Sequence, residues 1–209
     1  IVKAYRMLSA DHILPHINFN LEKHIPSQAG LGGGSSDATY TLRLLNKLCQ
    51  LNLNSATLHQ YAVRLGADCA FFVTATPAFA TGIGDILEPM NAECAHLHGM
   101  YLLIVKPTVA ISTAQAFAFV KPEPTLIKCK DIVAQPVNSE WRNQLTNNFE
   151  VSAFKLYPEM HTIKEQLYNM GALYAQMSGS GSAFFGIFNT PPTLTANHFN
   201  GMFTYLCQL

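Results

Sequence analysis

Apolar side chains recur at helical spacing in Ile1–Leu8, and the stretch Ile17–Lys23 then alternates apolar with polar, which predicts a half-buried strand. Helical spacing returns from about Ser36 to Cys49 and again from Ala56 to Leu65, where Ser55 stands as the cap and Gly66 as the stop. A strongly apolar strand is expected after Asp68, through Cys69-Ala70-Phe71-Phe72-Val73, followed by a strand and turn in Pro77–Asp85. The uninterrupted run Tyr101–Val105 suits a fully buried strand. Ile111–Phe117 reads as a short helix capped by Ser112 or Thr113, and Lys121–Ser139, rich in proline and polar residues, as a loop with little regular structure. A helix from Pro158 to Met170 stops at Gly171. Strands are predicted at Leu173–Gln176 and Phe184–Phe188, and a closing helix from about Thr195 carries Phe199, Phe203 and Leu206 on its apolar side.

Two glycine clusters interrupt this pattern. In Ile25–Ala38, four glycines fall within five positions (Gly30, Gly32, Gly33, Gly34) and lead into a helix that begins with Ser35, Ser36 and Asp37 near its first turn. Glycine loses the most backbone freedom on ordering, so such a run makes sense where positive φ or close approach of a ligand is needed. Free N–H groups and the positive end of a helix dipole would then converge on a phosphate. A flexible turn is the plainer alternative. No lysine makes the run a Walker loop, and Ser35 stands where a dinucleotide fingerprint needs glycine. The second cluster, Met177-Ser178-Gly179-Ser180-Gly181-Ser182-Ala183, exceeds what a hairpin turn requires, and a Gly-x-Ser-x-Gly elbow cannot be laid on it.

Composition narrows the classes. The 209 residues are 49% hydrophobic and only 12% charged, with Lys+Arg and Asp+Glu equal at 13 each, so the chain is globular and its total charge recruits neither nucleic acid nor anionic membrane. No apolar run is long enough to span a bilayer and no leader opens the chain. Five scattered cysteines without a CxxC pair read as reduced thiols in a cytosolic protein. Ile1–Leu8 has neither an initiating methionine nor a cap before it and reads as the interior of a larger protein. The polar stretch Pro89–His98 is the candidate boundary between domains 1–90 and 91–209, and its His96-x-His98 pair lacks a third ligand at metal-binding spacing. On the residues alone, Asp68 is a cap or turn carboxylate, Lys23 a solvent-facing strand lysine and Phe117 a core aromatic.

Pro26–Ala38 closely resembles the ATP-binding motif of the GHMP kinases (galacto-, homoserine, mevalonate and phosphomevalonate kinases). Gly-Ala-Asp-x-x-Phe-Phe at 66–72 and Met-Ser-Gly-Ser-Gly-Ser at 177–182 follow in the family's order, supported by Lys106-Pro107 and Asn147-Asn148-Phe149-Glu150, where asparagine replaces the family's aspartate. The form GLGGGSSDA is similar to the branch whose acceptor is a cytidyl diphosphate-linked methylerythritol, in the non-mevalonate route to isoprenoids. The resemblance implies an α+β fold in two domains, a truncated S5-like N-terminal half and a ferredoxin-like C-terminal half. It implies ATP and Mg²⁺ as cofactors and a small-molecule alcohol as acceptor. By the same likeness, Lys23, Pro26, Gly30, Leu31, Gly32, Gly33, Gly34, Ser35 and Ser36 bind ATP, with Ser35 or Ser36 near Mg²⁺. Asp68 takes the proton from the acceptor hydroxyl, Phe117 stacks on cytosine, and Thr113, Gly179, Ser180, Gly181 and Ser182 face the substrate. Cys69-Ala70 replaces the family's Val-Pro, a packing change. Family members carry a catalytic lysine on strands upstream of the first helix, and no counterpart of those strands precedes Ile1, which predicts weak or absent catalysis. The alternatives are a homoserine- or mevalonate-type kinase and a non-catalytic nucleotide-binding module.

Overall fold

The computed structural model describes residues 1–120 and 127–209, the side chain of Thr113 excepted. The chain divides into two compact units, one of residues Ile1–Ile25 and Gly32–Asn91 and the other of Pro26–Leu31 and Ala92–Leu209.

The first unit contains α1 (Val2–Asp11), α2 (Gly33–Leu48) and α3 (Ser55–Leu65), two 3-10 turns at Ala67–Cys69 and Phe71–Val73, and a hairpin of β1 (Ala78–Thr81) and β2 (Ile86–Pro89). Helical periodicity makes its core: Ala4 and Leu8 of α1, Leu42 and Leu45 of α2, and Leu58, Tyr61 and Ala62 of α3 are all buried together. Three expectations are corrected. Ile17–Lys23 is irregular, with Ile17 and Phe19 packed on this core from a segment without a strand partner. The N-cap of α3 is Asn54 rather than Ser55, its side chain accepting from Thr57 N at 2.9 Å; Gly66 does end the helix, in an extended conformation (φ 174). Cys69–Val73 forms no strand: the run turns against α2 and α3, burying Cys69 and Ala70 and half-burying Phe71–Val73, since a short apolar run has no periodicity that distinguishes a strand from a tight turn.

In the second unit β3 (Tyr101–Lys106) leads through α4 (Thr113–Phe117), α5 (Cys129–Val133), α6 (Trp141–Gln144), α7 (Phe149–Leu156) and α8 (Met160–Asn169) to β4 (Tyr174–Met177), β5 (Phe184–Phe188) and β6 (Phe203–Gln208). The sheet order is β4-β5-β3-β6, with every neighbouring pair antiparallel. β3 and β4 therefore run parallel on either side of β5, joined by the helical crossover, which is the ferredoxin-like arrangement. Alternation along the strands gives two apolar faces. Leu103, Val105, Phe184 and Phe188 meet Met160, Ile163 and Leu167, while Tyr174 and Ile187 meet Ile132 and Trp141. With this sheet and the helical first unit, the fold is α+β.

The closing helix is the largest correction. Residues 203–208 form an edge strand on β3, and Phe203, Tyr205 and Leu206 are all exposed. The spacing of Phe199, Phe203 and Leu206 suits a helix, but Gly201 takes φ 74 and β3 offers a free edge, so sheet pairing prevails over periodicity. The stretch expected as a loop contains α5 and the start of the polar run before α6, while its residues 121–126 lie outside the described residues.

Candidate active site

Within the first unit, the N-terminus of α2 leaves its first-turn backbone amides uncapped. Gly32 caps it in the left-handed region (φ 66), where a Cβ would lie 2.9 Å from Phe72 Cζ. The helix begins at Gly33, three residues earlier than its sequence predicts, so Gly33, Gly34 and Ser35 supply first-turn amides that have no intrahelical acceptor. No side chain caps them and no acidic residue lies in that turn. A Cβ on Gly33 would come 3.3 Å from Ile25 Cγ2 and 3.7 Å from Lys23 Nζ, whereas one on Gly34 would meet nothing within 4 Å. The open side of the turn is thus the side on which Gly34 lies. Lys23 is ion-paired with Asp37, which holds an ammonium near this helix start. The hydroxyls of Ser35 and Ser36 have no hydrogen-bond partner among the described residues.

Asp68 is exposed on the first 3-10 turn and has no partner among the described residues. Its turn is fastened to α2 by Thr39, 1% exposed, whose hydroxyl donates to Cys69 O at 2.8 Å. On its other side is the β1–β2 turn, where a Cβ on Gly84 would stand 3.7 Å from Asp68 Oδ1. The turn that carries the carboxylate is therefore tied to α2 through the buried Thr39 hydroxyl.

In the second unit, the first half of the glycine loop packs on the Ser/Gly loop between β4 and β5. Ser178 Oγ donates to Gly30 O at 2.9 Å and Ala183 N donates to Ala29 O at 2.9 Å. A Cβ on Gly30 would lie 2.0 Å from Ser178 O, so only glycine allows this approach. Gly179 also lies against Gly30, its Cβ position being 3.2 Å from Gly30 O. Ser182 Oγ donates to Val109 O, which also accepts from Lys106 Nζ at 2.8 Å, and burial lowers the pKa of that lysine. From α7 and its approach, Asn147 Nδ2 donates to Met177 O at 2.7 Å and Gly179 O at 2.8 Å. Glu150 accepts from Met177 N at 2.9 Å and pairs with Lys164 at 2.7 Å.

Phe117 is 59% exposed at the end of α4, a short helix closed by a Ser112–Gln115 capping box. Its ring stands edge-to-face on Phe149 at 4.9 Å, so it is a supported platform and not a core aromatic. Thr113 begins the same helix, but its side chain lies outside the described residues. The structure thus gathers Lys23, Gly32, Gly33, Gly34, Ser35, Ser36 and Asp68 in one unit, and Pro26, Gly30, Leu31, Phe117 and Gly179 to Ser182 in the other. Thr39, Asn147 and Glu150 escaped assignment from the sequence. A polar residue on the apolar face of α2 was the signal for Thr39, and only the Asn-Phe-Glu likeness pointed at the other two.

Residues 1–76 match the family model described as GHMP kinases N terminal domain, and residues 126–196 match that described as GHMP kinases C terminal. The chain belongs to the GHMP kinase family. Membership makes ATP the phosphate donor of this GHMP kinase. A protein of Bacteroides fragilis named 4-diphosphocytidyl-2-C-methyl-D-erythritol kinase is 46% identical over the whole chain, which spans 75% of that relative. The Bacteroides thetaiotaomicron protein of the same name is 48% identical over 93% of the chain and 69% of its own length. A crystal structure of 4-(cytidine 5'-diphospho)-2C-methyl-D-erythritol kinase superposes with a TM-score of 0.65 at 32% identity, covering 81% of this kinase and 61% of that chain. Homoserine kinase from Cytophaga hutchinsonii (TM-score 0.50, 15% identity, 90% of this chain and 68% of that one) shares the fold alone.

Proposed function

We infer that the chain transfers the γ-phosphoryl group of ATP to the 2-hydroxyl of 4-diphosphocytidyl-2-C-methyl-D-erythritol, a step of the methylerythritol phosphate route to isoprenoid precursors. The observation that carries this reading is the uncapped start of α2, open at Gly34, on the helix whose Thr39 also fixes the Asp68 turn. Phosphoryl transfer asks a protein for positioning and charge stabilisation more than for covalent chemistry. First-turn amides of Gly33 to Ser35 and the dipole of α2 receive the triphosphate, with Lys23 contributing charge and Pro26, Gly30, Leu31 and Gly32 shaping the loop. Asp68 is exposed and has no partner among the described residues, so its carboxylate is available to accept the proton of the acceptor hydroxyl as that oxygen bonds phosphorus and ADP leaves. Phe117 offers its face to cytosine, and Thr113 with Gly179 to Ser182 completes the acceptor side.

Mg²⁺ bound with ATP would neutralise charge on the phosphate oxygens, and the hydroxyls of Ser35 and Ser36, without partners among the described residues, would hold it as hard oxygen donors. Among the described residues no cluster of three or more His, Cys, Asp or Glu offers a separate metal cage. Among the described residues no helix is long and apolar enough to cross a membrane, and we place the enzyme in the cytoplasm.

The test is ADP release with Mg-ATP and 4-diphosphocytidyl-2-C-methyl-D-erythritol, with homoserine and mevalonate as control acceptors. Turnover with the cytidyl acceptor alone, abolished by Asp68→Asn, is the expected result. Turnover with a control acceptor instead refutes the substrate. ATP binding that is unaffected by Asp68→Asn, without turnover on any acceptor, identifies a nucleotide-binding module.

A further inference from the structure

The Ser/Gly loop fixes the first half of the glycine loop, but two glycines and three serines cannot fix themselves. Within residues 178–183 the chain closes only two backbone hydrogen bonds, Ser178 N to Ala183 O at 2.8 Å and Gly181 N to Ser178 O at 3.0 Å. Gly179 and Gly181 both take positive φ, 52 and 87, where glycine has the most freedom to lose. Something outside the loop must hold Ser178, whose carbonyl abuts Gly30 and whose hydroxyl bonds Gly30 O.

Asn147 does this with one carboxamide. Its two Nδ2 hydrogens go to Met177 O and Gly179 O, the carbonyls on either side of Ser178. Its Oδ1 accepts from Phe149 N at 2.9 Å, so the side chain is itself locked to the start of α7. Glu150, one turn further on, takes the Met177 N–H. All but one of the carboxamide's bonding positions are thereby used, and its orientation is set by chemistry: only a neutral amide donates twice to two carbonyls while accepting from an N–H.

We propose that Asn147 is a positioning residue for the triphosphate, acting through Ser178 on Gly30. It touches no substrate. It fixes the peptides flanking Ser178, and so the surface against which the glycine loop rests when phosphate enters. This inference rests on the kinase reading above.

Asn147→Asp tests it in the full chain, because aspartate has the same shape but sets a carboxylate against Met177 O and Gly179 O. ATP affinity should fall tenfold or more, and KM for ATP should rise with it. Affinity for AMP, which lacks the β- and γ-phosphates, should stay within twofold. Hydrogen exchange should quicken together in peptides covering 26–31 and 177–183 and remain unchanged in those covering α1 and α3. A general structural defect would weaken ATP and AMP alike or reduce the active fraction, and either result overturns the proposal. So does ATP affinity within twofold of the parent. Should Asn147→Asp fail to fold, Asn147→Gln keeps the carboxamide one methylene out of place and carries the same expectations; failure of both to fold makes the residue structural and overturns the proposal. A parent chain that does not bind ATP refutes the kinase reading itself, whatever the variants do.

Discussion

Gly34 separates the needs of the fold from those of the ligand. The structure gives no packing reason for glycine there: an added Cβ meets nothing within 4 Å, and the backbone is helical without positive φ. Alanine is favoured over glycine by about 0.8–1.0 kcal/mol inside a helix, and by somewhat less in the first turn. Gly34→Ala should therefore stabilise the chain by up to about 1 kcal/mol, which for a chain of this size raises Tm by roughly 2–4 °C. The new methyl group stands on the open side of the turn, where a phosphate must approach the amides of Gly33 to Ser35. ATP affinity should consequently fall at least tenfold, about 1.4 kcal/mol of binding, while Tm rises. Thermal unfolding followed by circular dichroism and titration with ATP by calorimetry would read both quantities on one preparation. A higher Tm with unchanged ATP affinity would refute the phosphate assignment of this helix start. A lower Tm would show that Gly34 serves the fold.

Gly30→Ala should behave in the opposite way, losing stability and nucleotide binding together, since its Cβ falls 2.0 Å from a backbone oxygen at φ 72. Left-handed strain of about 1–2 kcal/mol adds to the loss of the Ser178–Gly30 and Ala183–Ala29 bonds, and an unchanged Tm would contradict that geometry. Thr39→Val keeps the volume but leaves Cys69 O without its donor, costing about 1–3 kcal/mol; kcat should fall more than ATP affinity, and equal losses would sever Thr39 from the Asp68 turn. Phe117→Ala should raise KM for the cytidyl acceptor by about 5- to 150-fold, the equivalent of 1–3 kcal/mol of stacking, and leave KM for ATP unchanged. Alkaline pH should unfold the protein early. The hydrogen bond to Asp11, with burial, raises the Tyr61 pKa above its usual 10.0, and burial raises that of Tyr174 further. Both phenols favour the protonated native state, so their stabilisation is complete below pH 10 and is lost as pH rises through the raised values. Tm measured from pH 8 to 11.5, with tyrosinate absorbance, should show two late-titrating phenols whose ionisation coincides with unfolding.

The elements that were legible in the sequence are those whose periodicity was paid back by local burial. Ala4 and Leu8, or Leu42 and Leu45, lie one turn apart on a helix and meet one core, so reading their spacing was enough. β3 was equally plain, because both faces of its strand are covered and Tyr101–Val105 runs without a charged residue until Lys106. The failures share a cause. Ile17–Lys23 alternates but has no neighbouring strand, and residues 203–208 have helical spacing but do have one, so in both cases the partner decided.

The candidate site divides along the same line. Its glycines announce themselves, because a run that stabilises neither helix nor strand needs another reason to exist. What the run cannot announce is that its glycines serve different ends. Gly30 is excluded from bearing a side chain by Ser178, 148 residues away, and Gly34 by nothing among the described residues. A glycine confined by protein atoms speaks for packing, whereas one facing open space at the start of an uncapped helix speaks for something that arrives. Asn147, Glu150 and Thr39 leave at most a faint mark in the sequence, and none of their task, for the converse reason. Each acts through a backbone carbonyl or amide of a distant residue, and backbone groups carry no residue type for a pattern to match.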